Sequence, residues 1–299
     1  MNAPTEPPPH PPAWQPLTFG GVAAFAWARW PRLALVQIIV AGLVAATVVF
    51  LLEWRWFPVV TEAVRGLADF GAVRDGRLAW PRTEATLLAE NRFLGLVIDL
   101  EESGEAGQVA DVQFEFARGR AKLVSLLGYV AVPYPAGGVV ELNRAALDPW
   151  WNAWRPAFVW AGGLGTVAWL FTCWAALATL YAAPLRALAW LAGRAVSPGQ
   201  CWRVASATLL PGALWVSGSL LCYGLEQLSL AGLGIAFALH LAVGWVYLLG
   251  AVFHLPRHRD ESQPAGPNPF TPAPTGAKSA EPPPPAAAGG NPFQGPPGG

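Results

Sequence analysis

Apolar residues follow two different patterns along the chain. Residues 33–52 (LALVQIIVAGLVAATVVFLL) carry no ionisable side chain over 20 positions, and a helix of about 20 residues is what a hydrocarbon core demands. Three similar runs lie in the second half, at 157–181, 204–224 and 228–255, the last interrupted only by His240 and His254. The run at 204–224 contains Pro211 and four Ser or Thr residues. Proline is tolerated in a spanning helix where neighbouring groups satisfy the freed carbonyl, and Ser206 and Thr208 are placed to do so. The first run is too long for the apolar stretch of a signal peptide, follows 32 residues, and is succeeded by Glu53-Trp54-Arg55 in place of a small-residue cleavage site. It reads as an uncleaved anchor.

Between the first two runs the pattern changes. Residues 57–67 (FPVVTEAVRGL) are amphipathic and predict one helix, after which the period falls to two. Asp75-Gly76 is a tight-turn pair. Residues 92–100 and 112–116 predict strands; the chain then turns through Arg118-Gly119-Arg120 and returns over 121–127. Residues 129–134 (YVAVPY) predict an edge strand ended by Pro133, and 141–154 a helix. A small antiparallel β domain of α+β type, between two helices, is expected over 53–155. Residues 185–196 (LRALAWLAGRAV) predict an amphipathic connector helix lying in an interface.

Charge gives the four runs a direction. Arg29 and Arg32 precede the first run, Arg186, Arg194 and Arg203 lie between the second and third, and Arg257 and Arg259 follow the fourth. Basic residues in short loops stay on the cytoplasmic side, so both termini are expected there and 53–155 outside. The only charge between the third and fourth runs, Glu226, falls on the outer side. Tryptophans such as Trp27, Trp30, Trp54, Trp56, Trp150 and Trp154 cluster near the proposed helix ends, where indole favours the headgroup level.

Composition fits this class. Charged residues make up 13% of the 299, hydrophobic ones 54%, and 16 are Trp; soluble domains carry about 25% charge. With 19 basic and 19 acidic side chains there is no basic excess for a nucleic acid. On the expected topology the neutral sum divides into opposite inner and outer charges. Three cysteines are too few for a disulfide framework. The tails at 1–16 and 256–299 hold 20 of the 30 prolines and offer no core, so disorder or polyproline II is expected there. Asn268-Pro269-Phe270 and Asn291-Pro292-Phe293 repeat one tripeptide, which resembles the short ligand of EH domains.

Candidate chemistry is sparse. Asp99, Glu101, Glu102, Glu105 and Asp111 form an acidic cluster around Ser103-Gly104. Carboxylates so spaced could hold a hard cation, but a charged hairpin loop facing water explains them as well. His240 is the ionisable side chain deepest within a proposed helix, a candidate functional residue together with Pro211. Small-residue pairs at Ala41/Ala45, Gly42/Ala46 and Ala161/Gly165 permit close helix approach. No nucleophile–base, phosphate-loop or zinc motif is present, and no cofactor is implied.

The turn Asp75-Gly76-Arg77-Leu78, the strand end Ile98-Asp99 and the order anchor, β insert, three helices resemble an uncharacterised bacterial four-helix membrane family. The resemblance implies an α-helical polytopic protein of the inner membrane with an extracytoplasmic insert, and no activity. The expected function is a non-enzymatic scaffold or sensor in the lipid bilayer, with protein partners on the β domain and on the tails. A small-solute permease using His240 and Pro211, and a membrane enzyme using Asp99 and Glu101, are the alternatives.

Overall fold

The computed structural model describes residues 14–257. The chain opens with α1 (Phe19–Ala24), started by the Thr18 hydroxyl, which accepts the Gly21 N–H at 3.1 Å. A 3-10 turn, Phe25–Trp27, leads to α2 (Trp30–Leu51). Helix α2 does not stop at the end of its apolar run. It widens into a π turn over Leu52–Trp56 and continues as α3 (Phe57–Gly66). Pro58 supplies the reason: it has no N–H for the Trp54 carbonyl, and the helix accommodates the lost bond by widening just before it. The wider turn also rotates the following face, so that Val59, Ala63 and Val64 of α3 are buried.

The predicted helix at 141–154, the second apolar run and the interfacial connector are not three elements. They are one helix, α4 (Arg144–Leu191), 48 residues long and about 72 Å at 1.5 Å per residue. Asn143 caps it by accepting the Ala146 N–H at 2.9 Å. Pro149, Pro156 and Pro184 lie within it without ending it; each removes one backbone bond, and no glycine-rich turn sits beside any of them to take over. The helix ends only at Gly193, whose φ of 64° allows a Schellman closure: Gly193 N–H to the Trp190 carbonyl and Arg194 N–H to that of Ala189. Helix α5 (Pro198–Gly224) begins with a capping box between Ser197 and Gln200, and α6 (Leu230–His254) with Ser229 accepting from Gly232.

Among the described residues, four helical segments are each long and apolar enough to cross a bilayer: Trp30–Gly66, Arg144–Leu191, Pro198–Gly224 and Leu230–His254. Helix α5 is the most buried of them and packs against α2, α4 and α6. Their outward faces are apolar, with Ile38, Leu43, Trp160, Trp169, Phe237 and Val246 exposed. Helices α2 and α5 run in the same direction. Gln37 donates to Ser206 at 2.8 Å, Thr47 and Ser217 share a hydrogen bond of 2.9 Å, and the Arg55 Nε donates to the Gly224 carbonyl at 2.7 Å, so the numbering offset stays at 169 or 170 over the whole contact. Of the small-residue pairs, Ala41/Ala45 is buried, whereas Gly42/Ala46 and Ala161/Gly165 face outward. Close approach occurs elsewhere: a Cβ on Gly162 would meet Leu52 at 2.6 Å.

Eight strands follow α3: β1 (Ala72–Arg74), β2 (Arg77–Ala79), β3 (Thr86–Glu90), β4 (Leu94–Ile98), β5 (Val112–Phe116), β6 (Arg120–Ser125), β7 (Gly128–Pro133) and β8 (Val139–Glu141). They form a three-stranded sheet in the order β2-β1-β8 and a five-stranded sheet in the order β3-β4-β5-β6-β7. Asp75 and Gly76, both at positive φ, make the predicted hairpin turn. Strand β7 is an edge, as its pattern predicts. Every pairing is antiparallel except β4 with β5, which is parallel. That exception corrects the expected hairpin at the acidic cluster. Parallel neighbours need a crossover of a dozen or more residues, and residues 99–111 are that crossover. Helix α3 covers the five-stranded sheet, with Val59 and Ala63 against Ala89 and Leu94.

The buried Gln37–Ser206 bond should be measurable as a coupling. A double-mutant cycle with Gln37→Leu and Ser206→Ala, scored by unfolding in detergent, is expected to give about 0.6 kcal/mol. A coupling of zero would mean that the two side chains do not meet.

Candidate functional site

The densest set of long-range polar contacts lies where the five-stranded sheet meets the corner between α5 and α6. Asn91 makes the β3–β4 turn: its Oδ1 accepts the N–H groups of Phe93 and Leu94, both at 2.9 Å, and its Nδ2 donates to the Arg55 carbonyl in the π turn. Arg92 then projects its guanidinium onto the corner, donating to the carbonyls of Glu226 at 3.0 Å and Leu228 at 2.9 Å. From the other side Arg55 bonds the Gly224 carbonyl and pairs with the Glu226 carboxylate at 3.2 Å. Phe93 sits between them, under Arg55 and edge-on to Tyr223 with centroids 4.9 Å apart. The Tyr223 hydroxyl donates to Asp111 at 3.0 Å, and the Asp111 N–H returns to the Arg92 carbonyl.

The electrostatics of this corner follow from the helix. The last carbonyls of α5 have no helical partner and carry partial negative charge. The Arg55 guanidinium satisfies that of Gly224, and Arg92 takes the carbonyls of Glu226 and Leu228 just beyond the helix. The helix also closes by a Schellman pair, Glu226 N–H to Tyr223 and Gln227 N–H to Cys222. The residue forced into the left-handed region is not glycine but Glu226, with φ 65°. A side chain there costs about 1–2 kcal/mol, and Arg55 and Arg92 hold both the Glu226 side chain and its carbonyl in place. The corner therefore stores backbone strain under a charged clamp, at the end of the helix that packs against the three other long ones.

The acidic crossover is built differently from a cation cage. Asp99 is 2% exposed; its Oδ2 accepts from the Gly104 N–H at 2.9 Å and the Ser103 hydroxyl at 3.1 Å. Burial raises its pKa, but these hydrogen bonds outweigh burial and hold the carboxyl below its ordinary value. Glu101 pairs with Arg118. Glu102 takes Arg120 and Lys122, each at 2.8 Å, and Lys122 also reaches Glu115 at 2.9 Å. Hydrogen bonds from Arg120 and Lys122 bring the Glu102 pKa down to about 2. Among the described residues no three His, Cys, Asp or Glu side chains gather as a metal site. Gln113, itself buried, ties the crossover back by accepting from Val109 and donating to Gly107.

His240 and Pro211 are brought together by backbone. A Cβ on Gly212, next to Pro211, would stand 2.9 Å from the His240 carbonyl oxygen, which makes this the tight crossing of α5 and α6. The His240 ring bonds the Phe237 carbonyl of its own helix. It lines a cleft of about 340 Å³ shared with Cys173, Tyr181, Leu209 and Gly244, with no carboxylate or cation among the lining residues. Ser206 and Thr208 do not serve Pro211 as expected: Ser206 accepts from Gln37, and Thr208 donates to the Ala205 carbonyl.

Of the residues singled out in the sequence, Asp99 and Glu101 thus lie in the crossover and His240 and Pro211 at the α5–α6 crossing, far apart in role. Asn268, Pro269, Phe270, Asn291, Pro292 and Phe293 lie outside the described residues. Sequence reasoning missed Arg55, Asn91, Arg92 and Tyr223. Their signal was slight: Arg55 just past the first apolar run, Arg92 at the start of a predicted strand, and Glu226 as the lone charge between the third and fourth runs. Comparison with models of protein families, with curated proteins and with solved structures returned no match.

Two outcomes are expected from these geometries. Glu226→Gly relieves the left-handed strain while Glu226→Ala keeps it, and both lose the ion pair; thermal unfolding should therefore rank Gly above Ala by about 1 kcal/mol, and equal stabilities would remove the strain. For Glu102 the folded pKa lies below the ordinary value of 4.5. Its pairing therefore contributes stability above pH 4.5, lost as the pH falls towards about 2. Carbon-detected NMR of the Glu102 carboxylate should titrate near 2, and in Arg120→Ala/Lys122→Ala it should return towards 4.5.

Proposed function

We propose that this chain is a multi-pass membrane protein of a bacterial inner membrane. Its four long helices cross the bilayer, both termini are cytoplasmic, and the sheets stand on the outer side. The apolar outward faces of the helices support the membrane assignment, because they have no other partner in the fold. The basic residues support the orientation: Arg29, Arg32, Arg186, Arg194, Arg203 and Arg257 all fall at the bundle end opposite the sheets. Membership of the uncharacterised four-helix family suggested by Asp75-Gly76-Arg77-Leu78 and Ile98-Asp99 is part of the same proposal.

Within that frame the chain acts as a non-enzymatic scaffold or sensor. The observation that carries this reading is the clamp of Arg55, Arg92 and Asp111 on the end of α5 and the corner that follows it. A partner that moves the five-stranded sheet moves the β3–β4 turn, and that turn is bonded to the end of the most buried helix. Of the carboxylates that an enzyme reading would use, Glu101 pairs with Arg118, and Asp99 is buried with one oxygen bonded to Ser103 and Gly104. A permease reading draws only on the cleft beside His240.

Impermeant thiol labelling of Glu84→Cys and Pro264→Cys in intact cells tests the frame: position 84 should label and position 264 should not, and the reverse pattern overturns the orientation. Partners that co-purify with the full chain should be lost on deleting 256–299 while the membrane domain remains folded. Retention of every partner would defeat the tail-mediated scaffold.

A further inference from the structure

Residues 53–155 hold 11 basic and 14 acidic side chains, yet from Leu123 to Val140 there is none. This uncharged stretch includes the end of β6, all of β7 and the turn between them. The turn is not folded into a core. Leu127 is 97% exposed, Tyr129 68% and Leu126 62%, and Val130 and Val132 of β7 are exposed as well. Two leucines and a tyrosine within four residues at the tip of a soluble hairpin face water at a cost.

Strand register says where that tip lies. Leu94 pairs with Val112, and Val112 with Ser125 at the root of the turn. The residues just before Leu94 and Val112 are those that grip the helix corner: Arg92 on the Glu226 and Leu228 carbonyls, Phe93 on Tyr223, and Asp111 on the Tyr223 hydroxyl. Ser125 is therefore level with the strand ends that touch α5. The turn 126–129 leaves the sheet at that same end. It spans the first and second strand places beyond β5, about 5–10 Å to the side at 4.8 Å per strand. The opposite end of the sheet is highly charged, with Glu101, Glu102, Arg118 and Arg120. At the end level with the ends of the spanning helices, Arg92 and Asp111 are engaged by the helix corner, and the β6–β7 turn is uncharged and apolar.

We propose that the β6–β7 turn is a lipid anchor: Leu126 and Leu127 insert at the boundary between headgroups and acyl chains of the outer leaflet, with the Tyr129 ring at the headgroup level. The inference rests on the membrane reading above. The bilayer fits this site better than a protein partner because register puts the tip at the level of the helix ends, and because both leucines project from a turn, which offers no flat face for a second chain. Aromatic and aliphatic side chains at an interface gain burial without any fixed complementary surface. The anchor gives the sheet a second attachment to the membrane, set apart from the Arg92 clamp, so that tilting of the sheet and movement of α5 become linked.

The test uses the full chain in phosphatidylcholine–phosphatidylglycerol nanodiscs, with Cys173, Cys201 and Cys222 replaced by Ala. Nitroxide labels are placed at Leu127→Cys, at Gly119→Cys in the ionic turn, and at Leu43→Cys on the outward face of α2. Collision with oxygen is compared with collision with an aqueous nickel chelate. The expected result is an oxygen-to-nickel ratio at 127 severalfold above that at 119 and approaching that at 43. A lipid-like ratio at 43 with a water-like ratio at 127 overturns the anchor and leaves the membrane reading standing. A label at 127 that is immobilised and shielded from both reagents means that a protein surface covers the turn, which also overturns it. A water-like ratio at 43 removes the membrane reading itself.

Discussion

Two helices lying side by side in the same direction cannot be joined by a tight turn, and this constraint on α2 and α5 organises the molecule. The chain must leave the far end of α2, travel back the length of the bundle, and start again. Helix α4 makes that return, and the sheets are built in the excursion between. The contact is fixed axially by polar bonds, Gln37 to Ser206 and Thr47 with Ser217, which tolerate little sliding where no water replaces them. Because the offset is constant, the next residue of the series, Arg55 in the π turn, arrives at the last carbonyl of α5. The polar ladder and the charged clamp are one alignment seen at two depths.

The same alignment explains the continuous helix Trp30–Gly66. A turn after Leu51 would release Arg55 from Gly224. A straight α-helix would carry Pro58 with a lost bond and the wrong face of α3 toward the sheet. The π turn at Leu52–Trp56 satisfies both requirements, and its Arg55 carbonyl becomes the acceptor for Asn91. Glu53 in the same turn pairs with Arg155 of α4, and Trp151 of α4 donates to Thr61 of α3 at 2.9 Å. The segment that joins bundle to sheets is therefore braced on two sides.

Strain and charge meet at Glu226. Glycine would make the same Schellman closure without the cost of a left-handed side chain, but it would give Arg55 nothing to pair with. A corner held against its own backbone preference responds to the loss of its restraints more sharply than a relaxed one. That property suits a joint between the sheets and a helix that contacts the rest of the bundle.

Much of this was legible along the chain. The lengths of the apolar runs pointed to four long helices, because uncharged runs of 20 residues or more exceed the length of an ordinary strand. Asp75-Gly76 and the alternation in 112–116 fixed a hairpin and a strand, because positive φ and period two are local properties. Other features were decided only in three dimensions. Pro149, Pro156 and Pro184 look like boundaries, yet α4 runs through all three, since proline costs a bond but does not by itself supply a turn. Residues 99–111 look like a hairpin loop, yet they cross over to a parallel neighbour, since pairing direction depends on which strand fills the next place in the sheet. Arg92 and Glu226 are 134 residues apart and share no periodicity or motif. Local sequence carries propensity and burial; the meeting of single polar groups depends on how far each helix slides before its side chains lock, and that is settled by packing alone.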